Sequence, residues 1–291
     1  MRRRGEGRGR HVPGMVWLVM TVAFVLAVAM APAHATTAES DARASLNKAL
    51  GLSDLLEVMR IEGQRFGEGV GADFLPGGGG AIWHAVVTRI YDLDKMRIST
   101  ERGLKAEIAA DQIAPLLTFF TSETGHKIVA QEIHARRAFL DAETEDTARA
   151  AYRAALDDPA KATRIALLRA YVEANQLVEF NVTGALNANL RFYRGLVDGG
   201  AYEMSEEEMM SAVWEQEDET RADTDEWLMA YLYMAYAPLS DAQIKSYTAL
   251  SKTEAGKALN RGLFAGFDQM YEDISYALGL AIAQQMQGED L

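Results

Sequence analysis

The spacing of apolar residues beyond residue 40 predicts a chain that is helical almost throughout. The clearest stripe, with intervals of three or four residues, consists of Leu259, Leu263, Phe267, Met270, Ile274 and Leu278. Residues three and four apart lie on the same side of an α-helix, so this stripe is one face of a long amphipathic helix. Alternating strand-like runs followed by hairpin turns are missing from the sequence. The pattern therefore predicts an all-α fold.

Two parts of the chain resemble each other at an offset of 131 residues. The matching pairs are Ala81-Ile82-Trp83 with Ala212-Val213-Trp214, Asp92-Leu93-Asp94 with Asp223-Thr224-Asp225, Gln112-Ile113 with Gln243-Ile244, and Glu123-x-Gly125 with Glu254-x-Gly256. An earlier match, of Leu55-Leu56-Glu57-Val58 with Leu177-Val178-Glu179-Phe180, has an offset of 122. Because the matches keep the same order, we predict a duplicated multi-helix bundle with pseudo-two-fold related halves, residues 36–165 and 166–291.

Each half contains a short motif made of a hydroxyl residue, a glutamate and a glycine. Its members are Ser122, Glu123 and Gly125 in the first half and Thr253, Glu254 and Gly256 in the second. A serine or threonine caps a helix N-terminus, and a glutamate suits the first helical turn. A glycine at the third position lets the preceding helix approach closely, which offsets its low helix propensity. The motif therefore predicts a tight corner between two helices, and it lacks the glycine and hydroxyl spacing of a phosphate-binding Walker A loop.

The segments around these two corners resemble a known family. "DQIAPLLTFFTSETGHKI" and "DAQIKSYTALSKTEAGKAL" are similar to the bacterial exported helical family catalogued as domain of unknown function 2059, in which an apolar helix ends in Phe-(aromatic)-x-Ser-x-x-Gly-(Lys). The first segment matches at Phe119, Phe120, Ser122, Gly125 and Lys127. The second matches at Gly256-Lys257 and departs at the aromatic pair. The resemblance implies an exported helical protein and supplies no catalytic residues.

Residues 1–35 have the features of a cleaved export signal. Five arginines lie within the first ten residues, and the 17-residue segment from Met15 to Ala31 is apolar except for Thr21. Pro32-Ala33-His34-Ala35 then supplies the small residues of an A-x-A cleavage site. An uncleaved anchor is the alternative, although the apolar run is short for a membrane span. We expect a periplasmic or secreted mature protein that is not embedded in a membrane.

Composition narrows the classes of partner. The chain has no cysteine, which excludes disulfides and thiol chemistry. Removal of five arginines and one glutamate with the signal changes the net charge from -13 to -17. Such an acidic protein is repelled by nucleic acid and by anionic membrane surfaces, so we expect neither as a partner. Composition sets no expectation for the oligomeric state.

The sequence predicts no metal site and no cofactor. Three histidines remain after signal removal, and His126 and His134 are two helical turns apart with Ala130 between them, so they cannot chelate one ion. The acidic run from Glu215 to Asp225 lacks the loop glycine of an EF-hand, which leaves calcium binding as a minor alternative.

Two short regions are candidates for ligand binding. Met209 and Met210 belong to a methionine cluster of the kind that lines adaptable peptide grooves. Arg191, Tyr193 and Arg194 lie near the junction of the predicted halves, where a cleft would form. Both regions also fit a purely structural role.

We therefore predict an exported, non-catalytic α-helical protein that binds a protein or peptide in the cell envelope. The alternative is an envelope enzyme that uses carboxylate or histidine groups in the cleft between the halves. Buried polar side chains converging in that cleft would favour the enzyme. Full burial of Met209, Met210 and Met229 would exclude the peptide groove.

Overall fold

The computed structural model describes residues 37–288, which form thirteen α-helices and no β-strand. The first seven helices are α1 (Thr37–Ala49), α2 (Leu52–Phe74), α3 (Gly80–Ile90), α4 (Leu93–Glu107), α5 (Ala110–Phe120), α6 (Glu123–Ala138) and α7 (Ala142–Leu156). The remaining six are α8 (Ala162–Ala174), α9 (Leu177–Asp198), α10 (Glu206–Trp214), α11 (Glu217–Ala235), α12 (Asp241–Ser251) and α13 (Glu254–Met286). The predicted all-α fold is confirmed for this part of the chain.

The boundary between the two predicted units needs correction. Its position, between residues 165 and 166, falls inside α8. The chain instead turns at Pro159–Lys161, a single 3-10 turn in which the Asp158 side chain accepts a hydrogen bond from the backbone N–H of Ala160. Proline cannot donate to a preceding turn, so the helix break lies there. The predicted export signal, residues 1–35, lies outside the described residues.

The two predicted helix corners have the same capping geometry. The Ser122 hydroxyl accepts a hydrogen bond from the backbone N–H of Gly125 at 3.1 Å and so caps α6. The Thr253 hydroxyl accepts the equivalent bond from Gly256 at 3.0 Å and caps α13. Glu123 and Glu254 occupy the first turns of the two helices, as the motif predicts. Each cap satisfies one of the N–H groups that a helix start leaves without a partner.

The two corner glycines are required by the approach of the preceding helix. A Cβ atom at Gly125 would lie less than 3.0 Å from the backbone of Phe119 and Phe120, at the end of α5. At Gly256 it would lie as close to the backbone of Leu250 and Ser251, at the end of α12. These neighbours are main-chain atoms and cannot move aside as a flexible side chain would. Any larger residue at either position therefore opens the corner.

The longest helix, α13, runs through the middle of the fold. Its 33 residues span about 50 Å, and it packs against α4 along one part and α9 along another. Eighteen of its residues are buried, so it supplies much of the shared core. No helix within residues 37–288 is long and apolar enough to cross a membrane.

Helices α4 and α13 cross with their backbones in contact. A Cβ atom at Gly103 of α4 would collide with the backbone of Gly262 and Gly266 of α13. Ser99, one turn earlier on α4, donates a hydrogen bond to the carbonyl oxygen of Gly266 at 3.1 Å. Three glycines and a buried hydroxyl therefore fix this crossing.

Helices α9 and α13 approach equally closely. A Cβ atom at Gly195 of α9 would lie less than 3.0 Å from the carbonyl oxygen of Tyr276, and one at Gly279 of α13 would lie as close to the carbonyl oxygen of Phe192. Each glycine thus lies against the backbone of the other helix. The last part of α13 is thus held against α9 by backbone contact rather than by interlocking side chains.

The offset of 131 residues relates equivalent positions as far back as the starts of α5 and α12, where Gln112 and Gln243 each accept a hydrogen bond from the backbone N–H of the N-cap residue at 2.9 Å, but not before them. Trp83 is fully buried in α3, whereas Trp214, its predicted counterpart, is 59% exposed at the end of α10. Asp92 caps α4, whereas Asp223 lies in the middle of α11. Helices α4 and α11 differ in length, with 15 and 19 residues, so one fixed offset cannot hold across them. The identities at these two landmarks therefore do not reflect equivalent structure.

Candidate functional site

The predicted methionine groove does not form. Met209 is buried and Met229 is fully buried, while Met210 is 45% exposed. Consecutive residues on a helix point about 100° apart, so Met209 faces the core against α9 and its neighbour faces solvent. The interpretation that Met209 and Met210 line one peptide groove is therefore wrong.

The second set of candidates lies on α9 but does not line a common pocket. Tyr193 is buried in the core. The Arg191 guanidinium lies over the ring of Tyr276 at 5.3 Å from its centre. Arg194 forms an ion pair with Glu206 at the start of α10. Arg191, Tyr193 and Arg194 are thus each engaged within the chain, and the structure does not bring them together as a binding site.

Helix α10 carries an exposed apolar strip, of which only Met210 is a binding candidate from the sequence. Met210 and Trp214 lie one turn apart and are both exposed. Glu207 and Ser211 are exposed as well, and the four positions have the spacing of a single helix face. We call these four residues, Glu207, Met210, Ser211 and Trp214, the α10 face. The sequence marks Trp214 only as a match to Trp83, and its exposure of 59% in the folded chain shows that it faces solvent.

The α10 face is rigidly placed. Ser205 caps the helix by accepting a hydrogen bond from the backbone N–H of Glu208 at 3.2 Å, and the Glu208 carboxylate accepts one from the Ser205 N–H at 2.7 Å. That second bond lowers the pKa of the Glu208 carboxyl. Met209 and Val213 anchor the opposite side of the helix in the core. The exposed side chains therefore project from a fixed backbone.

The surroundings of the α10 face are strongly acidic. Residues 198–220 contain nine aspartates and glutamates and neither lysine nor arginine. Glu206 is neutralised by Arg194, but the carboxylate of Glu207 has no ion pair within residues 37–288. An exposed tryptophan and methionine ringed by carboxylates can contact a partner surface that is apolar at its centre and basic at its edge.

A second candidate lies in the interior, where polar side chains from both predicted halves meet. Glu132 on α6 accepts a hydrogen bond from the Tyr236 hydroxyl through its carboxylate. Its backbone carbonyl accepts another from the Tyr231 hydroxyl at 2.7 Å. The buried rings of Tyr171 and Tyr247 stack close by, with centres 4.9 Å apart. Sequence reasoning missed this cluster, because its members are spread over four helices and only the tyrosine-rich end of α11 hinted at it.

The space beside Glu132 is small. A cavity of about 80 Å³ is bounded by Glu132 and Arg136 of α6, by Tyr231 of α11 and by Tyr247 of α12. One turn along α6, Arg136 is buried and donates hydrogen bonds to both carboxylate oxygens of Glu62 on α2, at 2.8–3.0 Å. A cavity of this size holds a few water molecules.

Burial raises the pKa of the Glu132 carboxyl to about 7, and the Tyr236 hydrogen bond only partly opposes the rise. The ordinary value is 4.5, so the folded protein holds this proton at pH values where the unfolded chain has released it. Stability from this group is therefore present below about pH 4.5 and is lost as the pH rises towards 7. As the pH rises through this range, we expect the unfolding free energy of the Glu132→Gln variant to fall by about 2 kcal/mol less than that of the parent protein. Denaturant unfolding of both proteins at about pH 5 and pH 8 measures it.

Other groups contribute to the same pH range and must be separated from Glu132. Burial and the nearby Glu272 also raise the pKa of Asp268 to about 7. A pH dependence shared by the protein and its Glu132→Gln variant belongs to Asp268 and to other groups. Identical pH profiles for the two proteins would show that the Glu132 carboxyl titrates normally.

The structure also bears on the predicted absence of metal sites. No group of three or more histidines, aspartates and glutamates within residues 37–288 is placed to hold a metal ion. Of the acidic residues considered for calcium, Asp223 pairs with Arg149 at 3.0 Å and Asp225 pairs with Arg169. These carboxylates are neutralised by arginines from α7 and α8.

The described part of the chain thus offers an exposed acidic and apolar helix face and a carboxyl–tyrosine cluster beside a small cavity. The first can contact a macromolecule, and the cavity beside the second has room only for very small molecules. Comparisons of the chain with family models, with curated proteins and with solved structures found no match.

Proposed function

We propose that this is an exported, non-catalytic helical protein that binds another protein in the cell envelope through the α10 face. The observation that carries the proposal is the joint exposure of Met210 and Trp214 on one rigid helix. Tryptophan and methionine are enriched where proteins contact one another, and tryptophan is frequent among the residues that dominate binding energy. The surrounding carboxylates favour a partner with a basic rim.

Envelope location is supported by sequence alone. The predicted signal at residues 1–35 and the two helix corners that resemble the exported family both agree with it.

We further propose that the bundle arose by duplication. Helices α1 and α8 each have 13 residues, and each is followed two residues later by a residue with positive φ, Gly51 at 60° and Gln176 at 48°. The capped corners before α6 and α13 add a second pair of similar features. The first pair is 125 residues apart and the second 131, so insertions between them account for the changing offset.

The enzyme alternative is supported by the polar cluster in the cleft. Glu132, with its pKa near 7, has the proton affinity of a general acid or base at neutral pH. However, substrate pockets usually measure about 300–1,000 Å³, and the cavity beside Glu132 is about 80 Å³. The geometry therefore supports binding through the α10 face better than catalysis at Glu132.

Site-specific photocrosslinking tests the proposed function. A photoreactive amino acid at position 214 is expected to give a crosslinked protein adduct in cells that export the protein, detected by gel shift and identified by mass spectrometry. The matched control is position 156, since Leu156 on α7 is 55% exposed and lies elsewhere on the surface. Equal adducts at both positions, or none at 214, would refute binding through the α10 face.

The test needs a variant that removes binding and keeps the fold. Trp214→Ser changes an exposed side chain, so we expect its unfolding free energy to stay within about 0.5 kcal/mol of the parent protein. In a protein that carries the photoreactive residue at position 210, the Trp214→Ser substitution is expected to reduce the amount of crosslinked adduct strongly. An undiminished adduct would mean that the Trp214 ring does not contribute to the contact.

A further inference from the structure

A groove of about 520 Å³ lies between α3, α4 and α13. Its apolar lining includes Val86 and Ile90 of α3, Met96 and Ile98 of α4, and Ile274 and Ala281 of α13. Ile98 is 48% exposed, so the groove leaves a large apolar side chain in contact with water. Its volume is within the range of ligand and peptide sites.

Three cationic side chains border this groove without partners. Arg89, Lys95 and Arg102 line it and are exposed, and none forms an ion pair or a side-chain hydrogen bond within residues 37–288. Most arginines of this acidic protein are paired; Arg97, on the same helix, contacts Asp94 and Glu101. One carboxylate, Asp273 of α13, also lines the groove, so three cations and one anion leave it with a net positive charge that favours an anionic occupant.

The charges are spread along the groove rather than gathered at one end. Lys95 and Arg102 are seven residues apart on α4, or about 10 Å. A fatty acid carries a single head group and can satisfy one such site. A helix with several carboxylates at helical spacing can satisfy all three, so the spacing favours an acidic helix over a lipid.

The α10 face has the properties that this groove requires. It is apolar at Met210 and Trp214, and Glu207 and Glu215 are exposed beside them. Helix α10 is about 13 Å long, and the groove wall formed by α13 between Met270 and Gln284 extends about 21 Å. The projecting helix is therefore short enough to lie within the groove of another molecule.

We infer that the groove of one copy receives the α10 face of a second copy, so that the protein self-associates. The inference rests on the proposed function, since it names the partner of the α10 face. Trp214 and Met210 cover the apolar groove, and the carboxylates around them neutralise Arg89, Lys95 and Arg102. The two surfaces differ, so the contact is heterologous and closes into a dimer only where both copies reciprocate.

Charge reversal on each surface tests the contact. Sedimentation velocity of the purified protein is expected to show concentration-dependent association, weakened about tenfold or more by Arg102→Glu and likewise by Glu207→Lys. The double variant is expected to recover much of the loss, because each contact then joins opposite charges again. Lys252→Glu is the matched control, since Lys252 is exposed, lies outside the groove and has no ion pair within residues 37–288, and the substitution changes the net charge as Arg102→Glu does.

The possible outcomes separate the two proposals. Crosslinking of the purified protein from position 214 is expected to label the groove helices of a second copy. A monomer at all concentrations, or equal effects of Arg102→Glu and Lys252→Glu, would overturn self-association through the groove. If the adduct in cells contains only a different protein, self-association is overturned while the α10 face remains the binding surface. Absence of any adduct at position 214 overturns both.

Discussion

Gly195→Ala is expected to lower the free energy of unfolding by about 2 kcal/mol, although alanine is the better helix former. Its methyl group would meet the carbonyl oxygen of Tyr276 on α13 at less than 3.0 Å. That oxygen belongs to a helix backbone, so relief requires α9 and α13 to separate along their contact. Overpacking of this kind costs about 1–3 kcal/mol or more, which exceeds the helix-propensity gain of about 1 kcal/mol. Denaturant unfolding measures the loss.

Gly69→Ala is the matched control for this substitution. Gly69 lies within α2, is exposed, and a Cβ atom there would meet nothing within 4 Å. The same chemical change should therefore stabilise the protein, by up to about 1 kcal/mol. Equal unfolding free energies for the two variants would show that α9 and α13 are not in backbone contact.

Glu62→Gln is expected to destabilise the protein by about 3 kcal/mol. Glu62 accepts hydrogen bonds from Arg136 through both carboxylate oxygens, and only 6% of the Arg136 side chain is exposed. The substitution keeps the shape but removes the carboxylate charge that faces the guanidinium in a poorly solvated site. Removing one partner of a buried pair costs about 3–5 kcal/mol. Unfolding in denaturant, with the helical content checked by circular dichroism, measures the effect.

Two comparisons show whether the cost comes from the buried charge. Glu101→Gln removes a carboxylate that pairs with Arg97 on the surface of α4, and we expect a loss of less than about 0.5 kcal/mol. Combining Glu62→Leu with Arg136→Met removes both charges and is expected to be more stable than Glu62→Gln alone. A loss as small for Glu62→Gln as for Glu101→Gln would mean that the inner pair is well solvated.

The helix corners were predictable because their causes are local. Ser122 and Gly125 are three residues apart, and the cap, the first turn and the close approach all involve residues within about one helical turn on either side. The all-α class followed from periodicity, which also depends only on near neighbours. Features of this kind can be predicted from a short stretch of consecutive residues.

Features that depend on distant partners were missed or misplaced. Gly195 is one of many glycines in the sequence, and only the presence of Tyr276 81 residues later gives it a role. Met209 and Met210 are both methionines and are adjacent in the sequence, yet the position of α9 decides that the first is buried and the second exposed. The cluster around Glu132 collects side chains from four helices, so no window of sequence contains it.

The position of α13 in the chain has a consequence for how the protein folds. Helices α4 and α9 precede α13 and bury their glycine faces against it, and the bond from Ser99 to Gly266 joins residues 167 apart. Neither earlier helix can complete its packing until α13 has been synthesised. Contacts of such long sequence separation carry a large loop-closure entropy and slow the folding rate. The chain therefore spends an interval with apolar helix faces uncovered, in which it depends on protection from aggregation.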